Sequence, residues 1–293
     1  MNAKQTQQIK KKIQGGPVRR VIVVLDVTTE SERALASAAE LAGGLKAGLV
    51  VLFADGQGLS ELEGHPMVRT IELPTGRGGG LGPGSMKRGV KAMARRTRRR
   101  VGRLSRRYRI DARFEVVGGD LRKVLKGQAG TQDLLVVESS GRKVMGGYRL
   151  PSSGRQLTRG IDASMLYVDK TQRPVRSVAL LYDGSKAAKR GLLTALGLGG
   201  GKRAPMITVL WVGASKEEVE DHKEEVRAIV EKRRRPVRIH GRRITCCAYS
   251  EILEVAQGMR SDLLIVPRGA SYEAEGALDQ LIEECPCPVL VFS

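Results

Sequence analysis

The sequence predicts an α/β protein built from two tandem, doubly wound parallel sheets. Three observations support this fold class: strand and helix patterns alternate along the chain, the whole pattern occurs twice, and its two copies share short motifs. The clearest motif is Asp-Leu-Leu-Val-Val at 133–137, which returns as Asp-Leu-Leu-Ile-Val at 262–266. Apolar runs of this kind, opening into polar residues, are typical of buried parallel strands. With 293 residues, the chain is long enough for two separate cores.

The first half begins after a polar, basic tail at residues 1–17. Its predicted strands are 18–25, 48–53, 111–117, 133–137 and 164–168, and its predicted helices are 31–45, 86–108 and a short helix after Asp120. The glycine-rich segment 75–85 lacks both the lysine and the preceding strand of a P-loop. We expect a flexible loop there, and an anion cradle is the alternative.

The second half repeats this plan. Its predicted strands are 177–182, 206–212, 237–247 with an interruption at Gly241, 262–266 and a last strand that closes the chain after Cys285. Its predicted helices are 186–198, a helix to about 234 opened by the capping box Ser215–Glu218, and 251–256. We therefore expect two domains, at 18–172 and 173–293.

The two copies differ in length after their fourth strand. Val137 and Met165 are 28 positions apart, whereas Val266 and Val289 are 23 apart. The shorter copy has thus lost five residues in the loop and helix from which phosphate contacts would have to come. We expect that only the first half has room for a nucleotide.

Composition favours an anionic partner and a reducing compartment. The formal charge is +20 with a pI near 10.2, while only 3% of residues are aromatic, which argues against base stacking. All four cysteines lie in the second half, so a secreted disulfide framework is not expected. No segment has the apolar length of a signal peptide core or a membrane span. We expect a cytoplasmic protein.

The segment 86–109 combines a helical period with a strong positive charge. Twelve of the 23 residues from Lys87 to Arg109 are Lys or Arg, and no acid occurs between Glu72 and Asp111. An apolar stripe is formed by Met86, Val90, Met93, Thr97, Val101, Leu104 and Tyr108. The arginines outside this stripe support two interpretations, a solvated face or a sequence-independent contact with a polyanion through Arg95, Arg99, Arg103 and Arg106.

Taken in order, these features resemble a tandem member of the universal stress protein family, over almost the whole chain. The resemblance rests on the strand-ending Asp26 and Asp183, on the repeated Asp-Leu-Leu strands, and on the Cys-Pro-Cys-Pro-Val-Leu-Val ending at 285–291. It implies a flavodoxin-like sheet of strand order 3-2-1-4-5 in each half, as in the adenine nucleotide alpha hydrolase-like proteins. It also implies that the halves pair through their last strands as a pseudo-dimer.

The resemblance further implies an ATP site in the first half. Family members that bind ATP have a Gly-x2-Gly-x9-Gly-Ser/Thr motif, and its four positions here are Glu138, Gly141, Pro151 and Ser152, of which two match. The implied cofactor-binding residues are Asp26, Val137, Glu138, Gly141, Ser152 and Ser153. Glu138 adds negative charge and Pro151 removes an N–H donor, although Arg142, Lys143, Arg149 and Arg155 could compensate. The alternative is a degenerate structural loop, and in the second half neither Gly269 nor Gly276 fits the motif.

No catalytic constellation is expected. His65, His222 and His240 are scattered through a loop, a helix and a strand. The cysteine pairs 246–247 and 285/287 fall on strands three and five, at opposite edges of the implied sheet, which disfavours a zinc site and favours buried core thiols. The sequence therefore predicts a non-enzymatic, cytoplasmic stress-response protein that binds an adenine nucleotide weakly in the first half. The alternative is a nucleic-acid or polyanion binding protein that acts through the basic helix, and a homodimer is a further expected assembly.

Overall fold

A computed structural model describes the chain at residues 17–25, 32–54, 69–71, 78–80, 85–118, 121–138, 160–168, 175–198, 205–213, 215–231, 239–244, 249–269 and 277–293. The first half contains β1 (Arg20–Leu25), α1 (Glu32–Leu45), β2 (Gly48–Ala54), β3 (Arg69–Ile71), β4 (Gly78–Gly80), α2 (Ser85–Tyr108), β5 (Ala112–Val117), α3 (Leu121–Gln128), β6 (Asp133–Glu138) and β7 (Ser164–Val168). The second half contains β8 (Ser177–Tyr182), α4 (Lys186–Gly197), β9 (Met206–Trp211), α5 (Lys216–Glu231), β10 (Ile239–Arg243), α6 (Tyr249–Gly258), β11 (Leu263–Pro267), α7 (Ala277–Glu284) and β12 (Val289–Phe292).

Ten of the twelve described strands form one continuous sheet in the order β10-β9-β8-β11-β12-β7-β6-β1-β2-β5, and β3 and β4 form a separate two-stranded sheet. Each half contributes five strands to the ten-stranded sheet in the order 3-2-1-4-5, and within this sheet all pairs inside a half are parallel. This confirms the predicted fold class and strand order. The sheet register also gives the length difference between the halves: Val136 pairs with Leu166, 30 positions on, whereas Ile265 pairs with Leu290, 25 positions on.

The halves meet through an antiparallel pair of their last strands. In this pair Met165 of β7 lies opposite Val291 of β12, and Leu166 lies opposite Leu290. Each strand therefore covers the open edge of the other, as expected for a pseudo-dimer. The predicted boundary between the domains at 172–173 lies outside the described residues and stays a prediction.

Arg190 on α4 connects the two halves around this junction. Its guanidinium donates to the carbonyl oxygens of Ser293 at 2.6 Å, Pro17 at 3.3 Å and Thr131. Its charged group also lies 5.5 Å from the centre of the Phe292 ring. Burial lowers the pKa of Arg190 from its ordinary value, because the charged form loses water contacts. One side chain thus joins the first half to the end of the chain.

Helices cover both faces of the sheet, as the continuous burial of the central strands requires. Val21 and Val23 of β1 pack in one core with α1, α2, α4 and α5. Ile22, which points the other way, packs in the second core with α3, α6 and α7. The central strands are apolar on both faces because both faces are covered.

Three local predictions are wrong. The sequence predicted a flexible loop over 75–85, but Gly78–Gly80 pairs with Arg69–Ile71 in a short antiparallel hairpin, and α2 already begins at Ser85. The predicted interruption at Gly241 is absent, because this glycine lies within β10 and pairs with Val209. A Cβ at Gly241 would collide with Trp211 Nε1, so the glycine makes room for the indole and does not break the strand.

The third error concerns the stripe of α2. Val101 is only 3% exposed, and Val90, Ala94, Leu104 and Tyr108 pack against the same core. Met93, by contrast, is 38% exposed. Val90, Ala94 and Val101 recur at helical spacing and define the buried face. Met93 lies one residue before Ala94, so its side chain is rotated away from that face toward solvent.

The helix starts of the second half are capped as their sequences indicate. Ser215 Oγ accepts a hydrogen bond from the Glu218 N–H at 3.1 Å, which confirms the predicted cap of α5. At α4, Ser185 Oγ accepts from the Ala188 N–H at 3.0 Å.

Candidate functional site

The carboxyl ends of β1 and β6 lie side by side in the first half. β1 pairs with β6 on one side, where Val23 lies opposite Val136, and with β2 on the other. The chain thus leaves two neighbouring strands in different directions, the arrangement that in open α/β sheets forms a ligand crevice. Asp26 directly follows β1, and residue 139 directly follows β6. The topology therefore brings the starts of both predicted ATP-binding segments to one edge of the sheet.

The structure describes only part of the predicted nucleotide site. Val137 is buried and contributes to the second core, and Glu138 is the last residue of β6, paired with Val168 of β7. The other predicted binding residues lie outside the described residues: Asp26, Gly141, Ser152 and Ser153. Pro151 and the compensating cations lie outside them as well: Arg142, Lys143, Arg149 and Arg155.

The aspartates that open the repeated motif lie at the opposite end of the strands. Asp133 is 3% exposed and accepts from Arg20 Nε at 2.9 Å, from Arg20 Nη2 at 2.6 Å and from the Gly130 N–H at 2.9 Å. Asp262 accepts at 3.0 Å from the backbone N–H groups of Arg176 and Ser177 and from Ser177 Oγ. Each aspartate thus ties the fourth strand of its half to the start of the first. This structural role explains the repeat without assigning chemistry to it.

A basic cavity lies between α2, α1 and the end of β1. It has a volume of about 430 Å³ and is lined by Leu25, Leu35, Thr97, Arg96, Arg99, Arg100 and Arg103. The four arginines recur at i, i+3, i+4 and i+7, so they share one face of the helix beside the apolar stripe. No carboxylate appears among the described residues that line it. Guanidinium groups that converge in this way are suited to oxyanions such as phosphate.

The structure separates the four arginines predicted to contact a polyanion into two pairs. All four are exposed, and none has a carboxylate partner among the described residues. Arg99 and Arg103 line the cavity, whereas Arg95 and Arg106 do not. Sequence reasoning missed Arg96 and Arg100, although their helical spacing from Arg99 and Arg103 was a readable signal.

A polar cluster at the end of β8 was also missed. Tyr182 Oη donates to Glu225 Oε2 at 2.8 Å, and Lys189 Nζ lies 2.7 Å from Glu225 Oε1. Burial, and then the bond to Glu225, raises the pKa of Tyr182 above its ordinary range. Burial opposes the charged form of Glu225, but the bonds from Lys189 and Tyr182 outweigh it and lower its pKa. The cluster fastens α5 to β8 and α4, and its members come from elements too far apart in sequence to be recognised as a motif.

The histidines do not form a reactive group with a nucleophile in the described part of the chain. His222 packs edge-on against Tyr182 with ring centres 5.7 Å apart, and its Nδ1 has no hydrogen-bond partner there. His240 is exposed on β10, while His65, Cys246 and Cys247 lie outside the described residues. Within the ranges that the structure describes, no group of three His, Cys, Asp or Glu side chains could hold a metal ion. No helix among those residues is long and apolar enough to cross a membrane.

Comparison with protein-family models and with curated proteins finds no match for the sequence. Solved structures do match. A universal stress protein from Archaeoglobus fulgidus DSM 4304 aligns over 92% of this chain and 97% of its own, at 15% identity and a TM-score of 0.55. A protein of Pseudomonas aeruginosa UCBPP-PA14 assigned to the same family aligns over 94% and 93%, at 15% identity and a TM-score of 0.52.

The same architecture occurs in the cytoplasmic domain of a prokaryotic cation chloride cotransporter, at 9% identity and a TM-score of 0.51, over 94% of this chain and 95% of that one. At these identities the likeness concerns the fold alone. Both halves take part in it, because each of these alignments spans more than nine-tenths of the chain. The chain therefore has the fold of the universal stress proteins, with two copies joined in one polypeptide.

Proposed function

We propose that the chain is a non-catalytic, cytoplasmic stress-response protein of the universal stress protein type that binds an adenine nucleotide weakly in its first half. The observation that carries this proposal is the sheet register. Paired positions of β6 and β7 are 30 residues apart, against 25 for β11 and β12. The first half thus keeps five more residues of chain between β6 and β7, in the segment that begins at the crevice where phosphate would be bound.

In the second half, Arg268 begins the corresponding segment after β11, and its contacts hold it at the junction between the halves. The Arg268 N–H donates to the Phe292 carbonyl at 2.6 Å. The Arg268 guanidinium donates to the Ile161 carbonyl at 3.2 Å and contacts Met165 Sδ at 3.7 Å, both in the first half. A residue held in this way is not available to a ligand at the end of β11. This supports a single nucleotide site, in the first half.

The proposed site is weak because two of its motif positions oppose phosphate. A glutamate at 138 brings negative charge, and a proline at 151 has no N–H to donate. Gly141 and Ser152 keep the permissive backbone and the hydroxyl that the motif requires. We propose binding without turnover.

Isothermal calorimetry with ATP tests this proposal. The double substitution Glu138→Gly and Pro151→Gly should tighten binding at least about tenfold, because it removes a repelling charge and restores a donor. Pro267→Gly, at the position of β11 that corresponds to Glu138, is the matched control and should leave ATP affinity unchanged. Phosphate release should stay at background in all three proteins. Unchanged ATP affinity in the double variant would show that the motif has been placed on the wrong residues.

A second candidate function, polyanion binding through α2, is favoured by a separate observation. α2 contains eleven Lys or Arg and no acid, and its basic residues include the cavity arginines and exposed arginines outside it. Cations of this density release counterions when they bind phosphates, which makes affinity fall steeply with salt. Because arginines on several sides of the helix can contact a backbone, we expect little sequence preference.

Matched variants separate this helix from the general charge of the chain. Replacing Arg95, Arg99, Arg103 and Arg106 by Gln should weaken binding to double-stranded DNA and polyphosphate and should flatten the salt dependence. The control replaces Lys216, Arg227, Arg242 and Arg243 by Gln, which removes the same charge from the second half. Fluorescence anisotropy over a salt series gives both slopes. If the two sets of substitutions weaken binding equally, the effect belongs to net charge and α2 is a solvated face.

A further inference from the structure

The turn between α7 and β12 brings two thiols into contact. Cys285 Sγ lies 3.5 Å from Cys287 Sγ, with Pro286 between them in the chain. The Cys285 N–H donates to the Leu281 carbonyl at 3.0 Å, which fixes it at the end of α7. Pro288 directly follows Cys287. Its carbonyl accepts from the Leu264 N–H at 3.0 Å, which fixes the chain after Cys287 against β11. Both sides of the pair are thus held by backbone hydrogen bonds.

The two thiols differ in exposure and in acidity. Cys287 is 7% exposed inside the second core, whereas Cys285 is half-buried at its margin. The hydrogen bond with Cys287 lowers the pKa of the Cys285 thiol below its ordinary value. The same hydrogen bond, together with burial, raises the pKa of Cys287. Because the thiolate is the reactive form, Cys285 is the nucleophile of the pair and Cys287 is its sheltered partner.

We propose that Cys285 and Cys287 form an oxidisable dithiol that reacts with a hydroperoxide and closes to an intramolecular disulfide. The contact distance and the unequal burial carry this assignment. It is independent of the nucleotide and polyanion proposals, because the pair lies on the C-terminal turn, apart from both β6 and α2.

The reaction needs no reagent besides the hydroperoxide. The Cys285 thiolate attacks the terminal peroxide oxygen, the O–O bond breaks, and the leaving alkoxide or hydroxide takes up a proton. Cys285 is then a sulfenic acid. Cys287 Sγ attacks Cys285 Sγ, the S–O bond breaks, and hydroxide leaves with the Cys287 proton as water. In total, two thiols lose two electrons and the peroxide is reduced to an alcohol or water.

The geometry favours closure over further oxidation. The sulfurs must approach from 3.5 Å to about 2.0 Å, which rotation of the two side chains can supply. A sulfenic acid with a thiol already in contact is captured before a second peroxide reacts. Since only one residue separates the cysteines, the ring is small and strained, so we expect a dithiol reagent to reopen it readily.

Tryptic mapping of the intact protein after peroxide treatment tests the proposal directly. No Lys or Arg follows Arg268, so peptide 269–293 contains both thiols, while Cys246 and Cys247 fall in peptide 244–260. Peptide 269–293 should become lighter by the mass of two hydrogen atoms and should regain them with dithiothreitol. A cross-link between peptides 244–260 and 269–293, or an unchanged mass of 269–293, would overturn the assignment.

The matched variants Cys287→Ser and Cys285→Ser separate the two roles. In Cys287→Ser the sulfenic acid has no partner, so dimedone should label Cys285 and sulfinic acid should form at least about tenfold faster than in the natural chain. In Cys285→Ser the buried thiol should react slowly and remain unlabelled. Equal rates of sulfinic acid formation in the natural chain and Cys287→Ser would contradict the proposal. Peptide mapping of the natural chain decides the question even if a variant fails to fold.

Discussion

Gly184 shows how one residue position can require the absence of a side chain. It follows β8 with φ of 72°, a backbone conformation that L side chains rarely adopt. A Cβ there would lie 2.5 Å from His222 Nε2. The His222 ring in turn contacts the edge of Tyr182, whose hydroxyl bonds to Glu225. The glycine therefore admits the helix side chain that completes this cluster.

We expect Gly184→Ala to lower the free energy of unfolding by about 1–3 kcal/mol, because the backbone is strained and His222 must move. Gly258→Ala is the matched control, since a Cβ there meets no atom within 4 Å. That variant should be neutral or more stable by up to about 1 kcal/mol. Urea denaturation of both variants measures the difference. Equal stability of the two would mean that His222 is not packed against Gly184.

At the scale of elements, α2 and α5 occupy equivalent places with opposite charge. In the large sheet, α2 lies in the connection from β2 to β5, and α5 lies in the equivalent connection from β9 to β10. Both helices pack on the same face of the sheet. α2 carries eleven cations and no acid, whereas α5 carries seven acids and three cations. The shared requirement is the buried stripe, which includes Val101 in α2 and Val219 and Val226 in α5. The exposed positions carry no such packing requirement.

Substitutions on α2 test which positions form this stripe. Val101→Ala should cost about 2 kcal/mol of unfolding free energy, because it removes buried methyl groups from a packed core. Met93→Ala, from the exposed side, should change it by less than about 0.5 kcal/mol. Thermal unfolding followed by circular dichroism compares the two. A larger loss in Met93→Ala would restore the stripe that the sequence alone predicts.

The helices and strands could be predicted because burial repeats along the chain with their own period. The apolar period of α2 correctly predicted that Val90, Val101, Leu104 and Tyr108 pack against the core. Met93 was predicted wrongly, because spacings of three and of four residues both fit a helical stripe and Ala94 occupies the buried position instead. Contacts between elements that are distant in the sequence leave no such period. Trp211 beside Gly241, or Lys189 beside Glu225, depends on how separate elements pack. The predicted nucleotide loop carries the least periodic sequence, and most of it lies outside the described residues.

At the scale of the whole molecule, the antiparallel pair of β7 and β12 turns two sheets into one. Without its partner, each of these apolar strands would present an open edge. The junction is reinforced by Arg190 and Arg268, which both reach from the second half to carbonyl oxygens of the first. The halves therefore depend on each other for a covered sheet.

A fragment of residues 18–172 tests this dependence. We expect it to self-associate through β7, because an identical edge is the nearest substitute for β12. Size-exclusion chromatography coupled to light scattering should give a mass of about two fragments or more. At the same concentrations the mass of the full chain should not rise by a similar factor above that of one chain. A stable monomeric fragment would show that the β7 edge needs no cover.

The placement of α2 and α5 makes the positive charge of the helices uneven along the sheet, because of these two only α2 lacks acids. α2 packs beside β5 at one end of the strand order, and α5 packs beside β10 at the other. A homodimer of the first half would carry a basic helix at both ends and could bridge two polyanions. The fused chain carries only one, so it should approach an anionic surface by the β5 end and leave the end that carries α5 pointing away. Ionic strength would then control orientation as well as affinity, and added copies should coat a polyanion without cross-linking it.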